Sequence, residues 1–188
     1  MEQITETKKF SKKFWDGAYE IIKFVIISLL IVIPFRMWVA QPFIVNGASM
    51  EPNFLNGDYL IVDEISYNIR NPRRGEVIVL RFAENPSFYI KRIVGLPGEK
   101  IQIKENKIRV FNKDNPDGFI LEESYLGNIP TYPEETLTLK QDEYFVMGDN
   151  RLQSLDSRRW GAITNNNIVG RALLRLWPLN SMGILTGY

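Results

Sequence analysis

The residues best suited to covalent chemistry in this chain are a serine and a lysine, because its 188 residues include no histidine and no cysteine. Ser49 lies in the short stretch Asn46–Pro52, directly after the one strongly apolar segment. A lone serine before a proline is usually a turn residue, and its hydroxyl becomes a nucleophile only when a base removes the proton. Without imidazole, lysine is the best remaining base.

Lys91 and Arg92 stand side by side in an apolar run, residues 88–94. Strand alternation places Lys91 on one face with Tyr89 and Ile93, and it does not decide which of the two basic side chains points inward. Only the lysine can lose its proton, so chemistry favours Lys91 as the base. Since an ordinary lysine pKa is about 10.4, burial must lower the pKa of Lys91 by several units.

Four blocks of the sequence follow one another in an order typical of an enzyme family. The blocks are Ser49-Met50-x-Pro52, Arg74-Gly75-Glu76-Val77, Tyr89–Gly98, and Gly148-Asp149-Asn150-Arg151 followed by Ser154, Asp156, Ser157 and Arg158. Over roughly residues 36–178 the chain resembles the bacterial type I signal peptidases. The resemblance implies a membrane-bound serine endopeptidase in which Ser49 is the nucleophile and Lys91 the general base.

The same resemblance implies supporting and substrate-binding residues. Ser154 is expected to donate a hydrogen bond that orients the lysine, within a polar network of Asp149, Asp156 and Arg158. The positions that match the family's shallow apolar substrate pockets are Phe43, Val45, Tyr89 and Ile90. The implied substrates are exported precursors with small residues, typically alanine, at the first and third positions before the cut.

Two positions depart from the family pattern. Many members carry a serine two positions before the nucleophile, where its hydroxyl helps to bind the oxyanion, whereas this chain has Gly47. We therefore expect the Ser49 N–H to act with another donor, such as a backbone group of Gly47-Ala48. The segment Pro52-Asn53-Phe54 replaces the familiar Pro-Thr-Leu and should alter local packing only.

An apolar segment precedes the serine and must position it relative to a membrane. The uncharged run Phe24–Phe35 has twelve residues, and extension to residues 19–40 gives 22 residues. A helix of that length spans about 33 Å, enough for one transmembrane anchor if Lys23 and Arg36 reach the two interfaces. A cleavable signal peptide is the alternative, but a cut after Ala40 places the bulky Trp38 at the third position.

Charge predicts the orientation of this anchor. The lysines of residues 1–18 predict a cytoplasmic N-terminal tail at the bacterial cytoplasmic membrane, and an extracytoplasmic domain over residues 41–188. We also expect Met50 and Trp38 to lie near the outer membrane surface and to touch lipid.

Beyond residue 40 the chain consists of short β-branched and aromatic runs separated by Gly, Pro and Asn. The runs are Phe43–Val45, Tyr59–Val62, Val77–Phe82, Phe88–Val94, Lys100–Ile103, Lys107–Phe111, Tyr144–Met147 and Ile168–Trp177. They predict a mainly β, antiparallel catalytic domain. Residues 112–143, rich in polar and turn residues, predict an inserted, loop-rich β subdomain.

Composition limits the possible partners. The formal net charge of +1 gives no electrostatic reason to expect nucleic acid. Without histidine and cysteine, the common imidazole and thiolate metal sites are excluded, so we expect neither a metal nor another cofactor. The expected partners are signal-peptide-bearing precursors and membrane lipid.

Two other functions fit part of the pattern. A self-cleaving Ser–Lys regulatory protease uses the same chemistry, but it lacks the membrane span and carries a DNA-binding or partner-binding arm. A membrane-anchored β domain that only binds would keep Ser49 and Lys91 as scaffold residues. Substitution of Ser49 separates a peptidase from such a binder, since a binder tolerates the loss of one hydroxyl.

Overall fold

The computed structural model describes residues 15, 17–32, 40–127 and 129–187. The chain divides into two compact units, Met1–Val39 and Ala40–Tyr188. In the first unit, residues 17–32 form helix α1, and Trp15 is also helical. Large apolar side chains of this helix are exposed, among them Ile21, Phe24, Leu30 and Ile31.

No helix within the described ranges is both long enough and apolar enough to cross a membrane. Part of the predicted anchor, residues 33–39, lies outside the described residues. Trp38 belongs to that part. The predicted tail, residues 1–18, is described only at residues 15, 17 and 18.

The second unit consists mainly of short strands. Strands β1 to β12 are Ala40–Ile44, Tyr59–Asp63, Val77–Arg81, Phe88–Gly95, Lys100–Lys104, Lys107–Phe111, Phe119–Ile120, Glu135–Thr138, Glu143–Met147, Ile163–Thr164, Ile168–Trp177 and Gly183–Ile184. Two single-turn helices, α2 and α3, are Ser66–Ile69 and Ser157–Trp160. The 3-10 turns are Ser124–Leu126, Asn165–Asn167 and Leu179–Ser181.

In the described part of the chain these strands form two antiparallel sheets. The larger has eight strands in the order β1-β2-β11-β3-β4-β9-β10, with β12 paired to β11. The smaller has four strands in the order β7-β6-β5-β8. The prediction of a mainly β, antiparallel fold is therefore confirmed.

The smaller sheet differs in its limits from the predicted insertion. It extends from Lys100 to Thr138, so β5 and β6 belong to it, whereas β9 returns to the larger sheet. Strands β7 and β8 lie within residues 112–143, but they pair with β6 and β5 rather than with each other. The sequence pattern of a strand does not indicate which of the two sheets the strand joins. The pattern depends on which side chains are buried and not on which strand lies beside it.

A buried apolar cluster packs the two sheets together. Val94, Phe145 and Met147 from the larger sheet contact Ile101 and Ile108 from the smaller one within this cluster. Packing of this kind holds the neighbouring strands β4 and β9 rigid, and β4 carries Lys91.

A second cluster lies beneath the loop that carries Ser49. It contains Val45, Met50, Phe54, Leu60, Val77 and Ala172. Met50 has no exposed surface, so the expectation that it touches lipid is wrong. Its side chain instead packs in the core and so holds the backbone next to Ser49 in place. Burial of a methionine stabilises the fold by about 1.5–3 kcal/mol.

Candidate active site

Ser49 lies in the loop between β1 and β2, in a tight turn. The Glu51 N–H donates to the Ala48 carbonyl at 3.2 Å, and the Gly47 N–H donates to Oδ1 of Asn56 at 2.9 Å. Gly47 has a φ of +97°, a left-handed conformation that favours glycine. The departure at this position thus has a conformational reason, and the Gly47 N–H is already engaged with Asn56.

Lys91 lies on β4 with its amine directed at the serine. Its Nζ donates to Ser49 Oγ at 2.8 Å and to the Ile90 carbonyl at 2.8 Å. Only 2% of Lys91 is exposed. Burial lowers the pKa of Lys91 to about 8, although the carboxylates of Asp156 and Asp149 act to raise it. The amine can therefore be neutral at mildly alkaline pH, which a proton acceptor requires.

Ser49 and Lys91 open onto a small groove of about 100 Å³. Its lining residues are Phe43, Ile44, Val45, Asn46, Ser49, Leu60, Val79, Phe88, Tyr89, Ile90 and Lys91. All four predicted substrate-binding residues, Phe43, Val45, Tyr89 and Ile90, are in this lining. Most of these lining residues are apolar, and Asn46, Ser49 and Lys91 are polar residues among them.

A buried ion pair lies behind the lysine. Arg92 binds Asp149 through two hydrogen bonds, at 2.8 Å from Nε and 2.6 Å from Nη2. The Arg92 guanidinium also donates to the Gly75 carbonyl at 2.9 Å and lies 4.1 Å from the centre of the Tyr125 ring. Asn53 Nδ2 donates to Asp149 Oδ2 at 2.9 Å, the same oxygen that accepts from Arg92 Nη2. Both adjacent basic residues of β4 are therefore buried, but only Lys91 reaches Ser49.

Asp156 provides a second buried carboxylate close to the site. Arg158 donates to its two oxygens at 2.9 and 2.8 Å, and the Gly148 N–H donates at 3.0 Å. Burial acts to raise the pKa of Asp156, but hydrogen bonds from Arg158 and Gly148 outweigh it and lower that pKa. The carboxylate is therefore negative and raises the pKa of Lys91 from nearby.

Ser154 is placed differently from the sequence prediction. Its buried Oγ has no hydrogen bond of ordinary geometry among the described residues, and the Lys91 amine contacts Ser49 and Ile90 instead. The hydroxyl lies near Asp156 and helps to lower the pKa of that carboxyl. The predicted hydrogen bond between Ser154 and Lys91 is thus not formed, because the lysine extends toward the serine loop.

Comparison with known proteins identifies the family. The family model described as "Signal peptidase, peptidase S26" matches residues 18–177. The chain belongs to the type I signal peptidases. It is a serine endopeptidase whose family removes signal peptides from precursor proteins.

Relatives of this signal peptidase match it over most of their length. Signal peptidase I of Leptolyngbya laminosa is 37% identical over 172 residues, 87% of this chain and 82% of that one. Probable signal peptidase I-2 of Synechocystis sp. is 34% identical over 190 residues, 97% of this chain and 84% of that one. A crystal structure of a signal peptidase I from Enterococcus faecalis is 28% identical, with a TM-score of 0.47, and covers 55% of this chain and 97% of that one.

Sequence reasoning assigned no role to three residues of this signal peptidase's site. Arg92 forms the ion pair behind Lys91, and Asn150 and Gly148 contact the serine loop itself. A β-carbon on Gly148 would lie 2.2 Å from Ser154 Oγ and 2.3 Å from the Ser49 carbonyl oxygen, so this position has no space for a side chain. The signal was present in the sequence, because a Gly-Asp-Asn run directly after an apolar strand is typical of a tight turn.

Proposed function

We propose that this enzyme cleaves exported precursors after small residues with a Ser–Lys dyad, in which Ser49 is the nucleophile and Lys91 the general base. The observation that carries the proposal is the 2.8 Å contact between the Lys91 amine and the Ser49 hydroxyl, in a groove lined mostly by apolar residues. Burial of the lysine supports it, because the low pKa makes a neutral amine available.

In the first step the neutral Lys91 amine accepts the Ser49 proton while Oγ attacks the scissile carbonyl carbon. The tetrahedral intermediate collapses when the C–N bond breaks, and the lysine ammonium returns its proton to the leaving amine. The mature protein departs with a free N-terminus, and the signal peptide remains joined to Ser49 as an ester. Lys91 is then neutral again.

In the second step a water molecule hydrolyses the ester. The Lys91 amine takes a proton from the water as its oxygen attacks the ester carbonyl, and the proton then passes to Ser49 Oγ as the signal peptide leaves. Both steps place negative charge on the same carbonyl oxygen, so an N–H donor beside Ser49 accelerates both. The Ile90 carbonyl, 2.8 Å from the lysine Nζ, holds the amine in place throughout.

The groove supports a preference for small side chains before the cut. A volume of about 100 Å³ and a lining that includes Phe43, Val45, Tyr89 and Ile90 suit methyl-sized groups better than large ones. In the order of the described strands, β1 is an edge strand of the larger sheet. A substrate in extended form can pair along such an edge.

We assign supporting roles to Asp149, Asp156, Arg158 and Ser154. The two carboxylates raise the pKa of Lys91 and so set the pH at which the amine becomes neutral. Arg158 holds Asp156 in place, and Ser154 acts through the same carboxylate rather than on the lysine.

We further propose that residues 19–40 anchor the enzyme in the bacterial cytoplasmic membrane, with residues 1–18 in the cytoplasm and residues 41–188 outside. The exposed apolar side chains of helix α1 support a lipid contact, because side chains such as Phe24 and Leu30 gain from leaving water. External protease should therefore digest the Ser49-containing domain in intact spheroplasts. If the domain is protected in intact spheroplasts and digested only after permeabilisation, the orientation is opposite to the one proposed.

Ser49→Ala is the test of the dyad. We expect this variant to fold and bind membranes like the wild type, and to lose cleavage of a precursor that carries Ala-x-Ala before the cut. Ser181→Ala, which removes an exposed hydroxyl remote from the groove, is the matched control and should cleave normally. Full activity of Ser49→Ala would exclude the proposed nucleophile.

A further inference from the structure

The turn that carries Ser49 is held from one side by Asn150. The Asn150 side-chain amide donates from Nδ2 to the Ala48 carbonyl at 3.0 Å. The backbone N–H of the same residue donates to the Ser49 carbonyl at 3.1 Å. Asn150 thus fixes the two successive peptide groups that flank the Ser49 Cα. It lies 102 positions from Ala48 in the sequence.

The first of these peptide groups carries the Ser49 N–H. In a trans peptide the carbonyl and the N–H point in opposite directions, and the Ala48–Ser49 peptide is trans. With its carbonyl directed at Asn150, the peptide directs its N–H away from Asn150. A rotation of this peptide would turn the N–H out of that direction and would break the hydrogen bond to Nδ2.

The Ser49 N–H is also an open donor. Within the ranges that the structure describes, it donates to no protein acceptor, whereas the neighbouring Gly47 N–H is taken by Asn56 Oδ1. An unengaged N–H on the nucleophile's own backbone can donate to the oxygen of a carbonyl that Ser49 Oγ attacks. Because Gly47 supplies no hydroxyl and its N–H is engaged with Asn56, the reaction depends more strongly on the Ser49 N–H.

Asn150 is itself held rigidly. The preceding Asp149 is locked by Arg92 through two hydrogen bonds, and Gly148 lets the turn approach within contact of the Ser49 carbonyl. The Asn150 amide is therefore presented by a turn whose preceding residue, Asp149, is fully buried, so its hydrogen bond can resist rotation of the Ala48–Ser49 peptide.

We propose that Asn150 is a positioning residue for transition-state stabilisation, because its side chain orients the Ala48–Ser49 peptide so that the Ser49 N–H meets the oxyanion. The inference rests on the proposed function, with Ser49 as nucleophile. Removal of a whole oxyanion donor lowers kcat by about 100- to 1000-fold, so loss of its orientation should lower kcat by roughly 30- to 300-fold.

The test compares Asn150→Ala with the full-length wild-type enzyme in lipid vesicles. We expect kcat for a precursor peptide to fall in the stated range while KM stays within about twofold, since the groove is untouched. A substrate-derived peptide aldehyde, which adds to Ser49 Oγ and forms a tetrahedral adduct, should lose affinity by a similar factor. The pH midpoint of the rate should stay at the wild-type value, because Lys91 is unaffected.

Two further variants sharpen the result. Asn150→Asp is nearly isosteric but cannot donate to the Ala48 carbonyl, so its kcat should fall at least as far as that of Asn150→Ala. Because its size is unchanged, this variant shows that the loss does not come from a packing defect. Asn167→Ala removes an asparagine that caps a turn outside the groove, and it should retain wild-type kcat.

An unchanged kcat in both Asn150 variants, or a fall in kcat without loss of aldehyde affinity, overturns the inference. A rise in KM with kcat unchanged also overturns it, because Asn150 would then act on substrate binding alone. The two hypotheses fail separately. An active Ser49→Ala enzyme removes the proposed function, whereas an inactive Ser49→Ala with a fully active Asn150→Ala removes only the role of Asn150.

Discussion

The guanidinium of Arg92 binds the carboxylate of Asp149 through hydrogen bonds of 2.8 and 2.6 Å, and both side chains are almost completely buried. Each partner is the sequence neighbour of a residue of the site. Lys91 precedes Arg92, and Asn150 follows Asp149. The pair therefore joins strand β4 to the turn after β9, so that the proposed base and the residue that holds the serine loop are fixed relative to each other.

Breaking this pair should destabilise the whole domain. Asp149→Ala removes the carboxylate that balances the buried charge of Arg92, and we expect the free energy of unfolding to fall by about 3–5 kcal/mol. Urea denaturation followed by tryptophan fluorescence measures the change. Asp142→Ala removes an exposed carboxylate and is the control. A loss of less than about 1 kcal/mol in Asp149→Ala would contradict the importance of the pair.

The rate of cleavage should depend on the protonation of Lys91. Because burial lowers its pKa to about 8, single-turnover cleavage should rise with pH and reach half its maximum near pH 8. Lys91→Met and Lys91→Arg should both be inactive, since neither side chain can accept the Ser49 proton. A wild-type rate in Lys91→Arg, or the same rising limb in Lys91→Met, would assign the base to another residue.

Stability should show the same ionisation with a defined sign. The pKa of Lys91 falls from 10.5 to about 8 on folding, so between these values the unfolded chain binds more protons than the folded one. The stability of the wild type should therefore rise with pH across this window, by about 3 kcal/mol. The difference in unfolding free energy between wild type and Lys91→Met, measured at pH 7 and pH 10.5, isolates this contribution. A difference that does not change with pH argues against a buried lysine.

Gly47 should resist replacement by the serine found in other family members. Its φ of +97° is costly for any residue with a β-carbon, so Gly47→Ser and Gly47→Ala should each lose about 1–2 kcal/mol of stability. The two variants differ only by the hydroxyl, and the comparison of their kcat values tests whether that hydroxyl can bind the oxyanion here. We expect equal kcat values. A tenfold higher kcat in Gly47→Ser would show that the loop can adopt the other arrangement.

Gly148 should be still less tolerant, for a steric reason. Alanine at this position would place its β-carbon 2.3 Å from the Ser49 carbonyl oxygen, so the serine loop has to move. A displacement of about 1 Å at the nucleophile can cost about 100-fold in rate, and we expect at least that loss for Gly148→Ala. Gly183→Ala has open space around its β-carbon and should cleave normally. Normal cleavage by Gly148→Ala would show that the loop does not need this close approach.

The sequence alone determined the fold class and predicted the chemistry. Absence of histidine and cysteine left lysine as the best base for Ser49, and the fixed charge of arginine separated Lys91 from Arg92. The β-branched and aromatic runs predicted the antiparallel strands, with limits that differ from the observed ones by a few residues, as at Phe43–Val45 and β1. The fold prediction is confirmed because alternation of side chains is a local property of the chain. The assignment of Ser49 and Lys91 stays a prediction, and it rests on an equally local property, the ability of each side chain to lose a proton.

Only the tertiary structure decided which distant residues meet. It buried both Lys91 and Arg92 and gave them different partners, Ser49 at 42 positions and Asp149 at 57 positions along the chain. It buried the Ser154 hydroxyl without a hydrogen bond of ordinary geometry among the described residues, and it brought Asn150 to the Ala48 carbonyl. Such contacts depend on how strands pair and how closely turns approach one another, and a periodic pattern of apolar residues records neither.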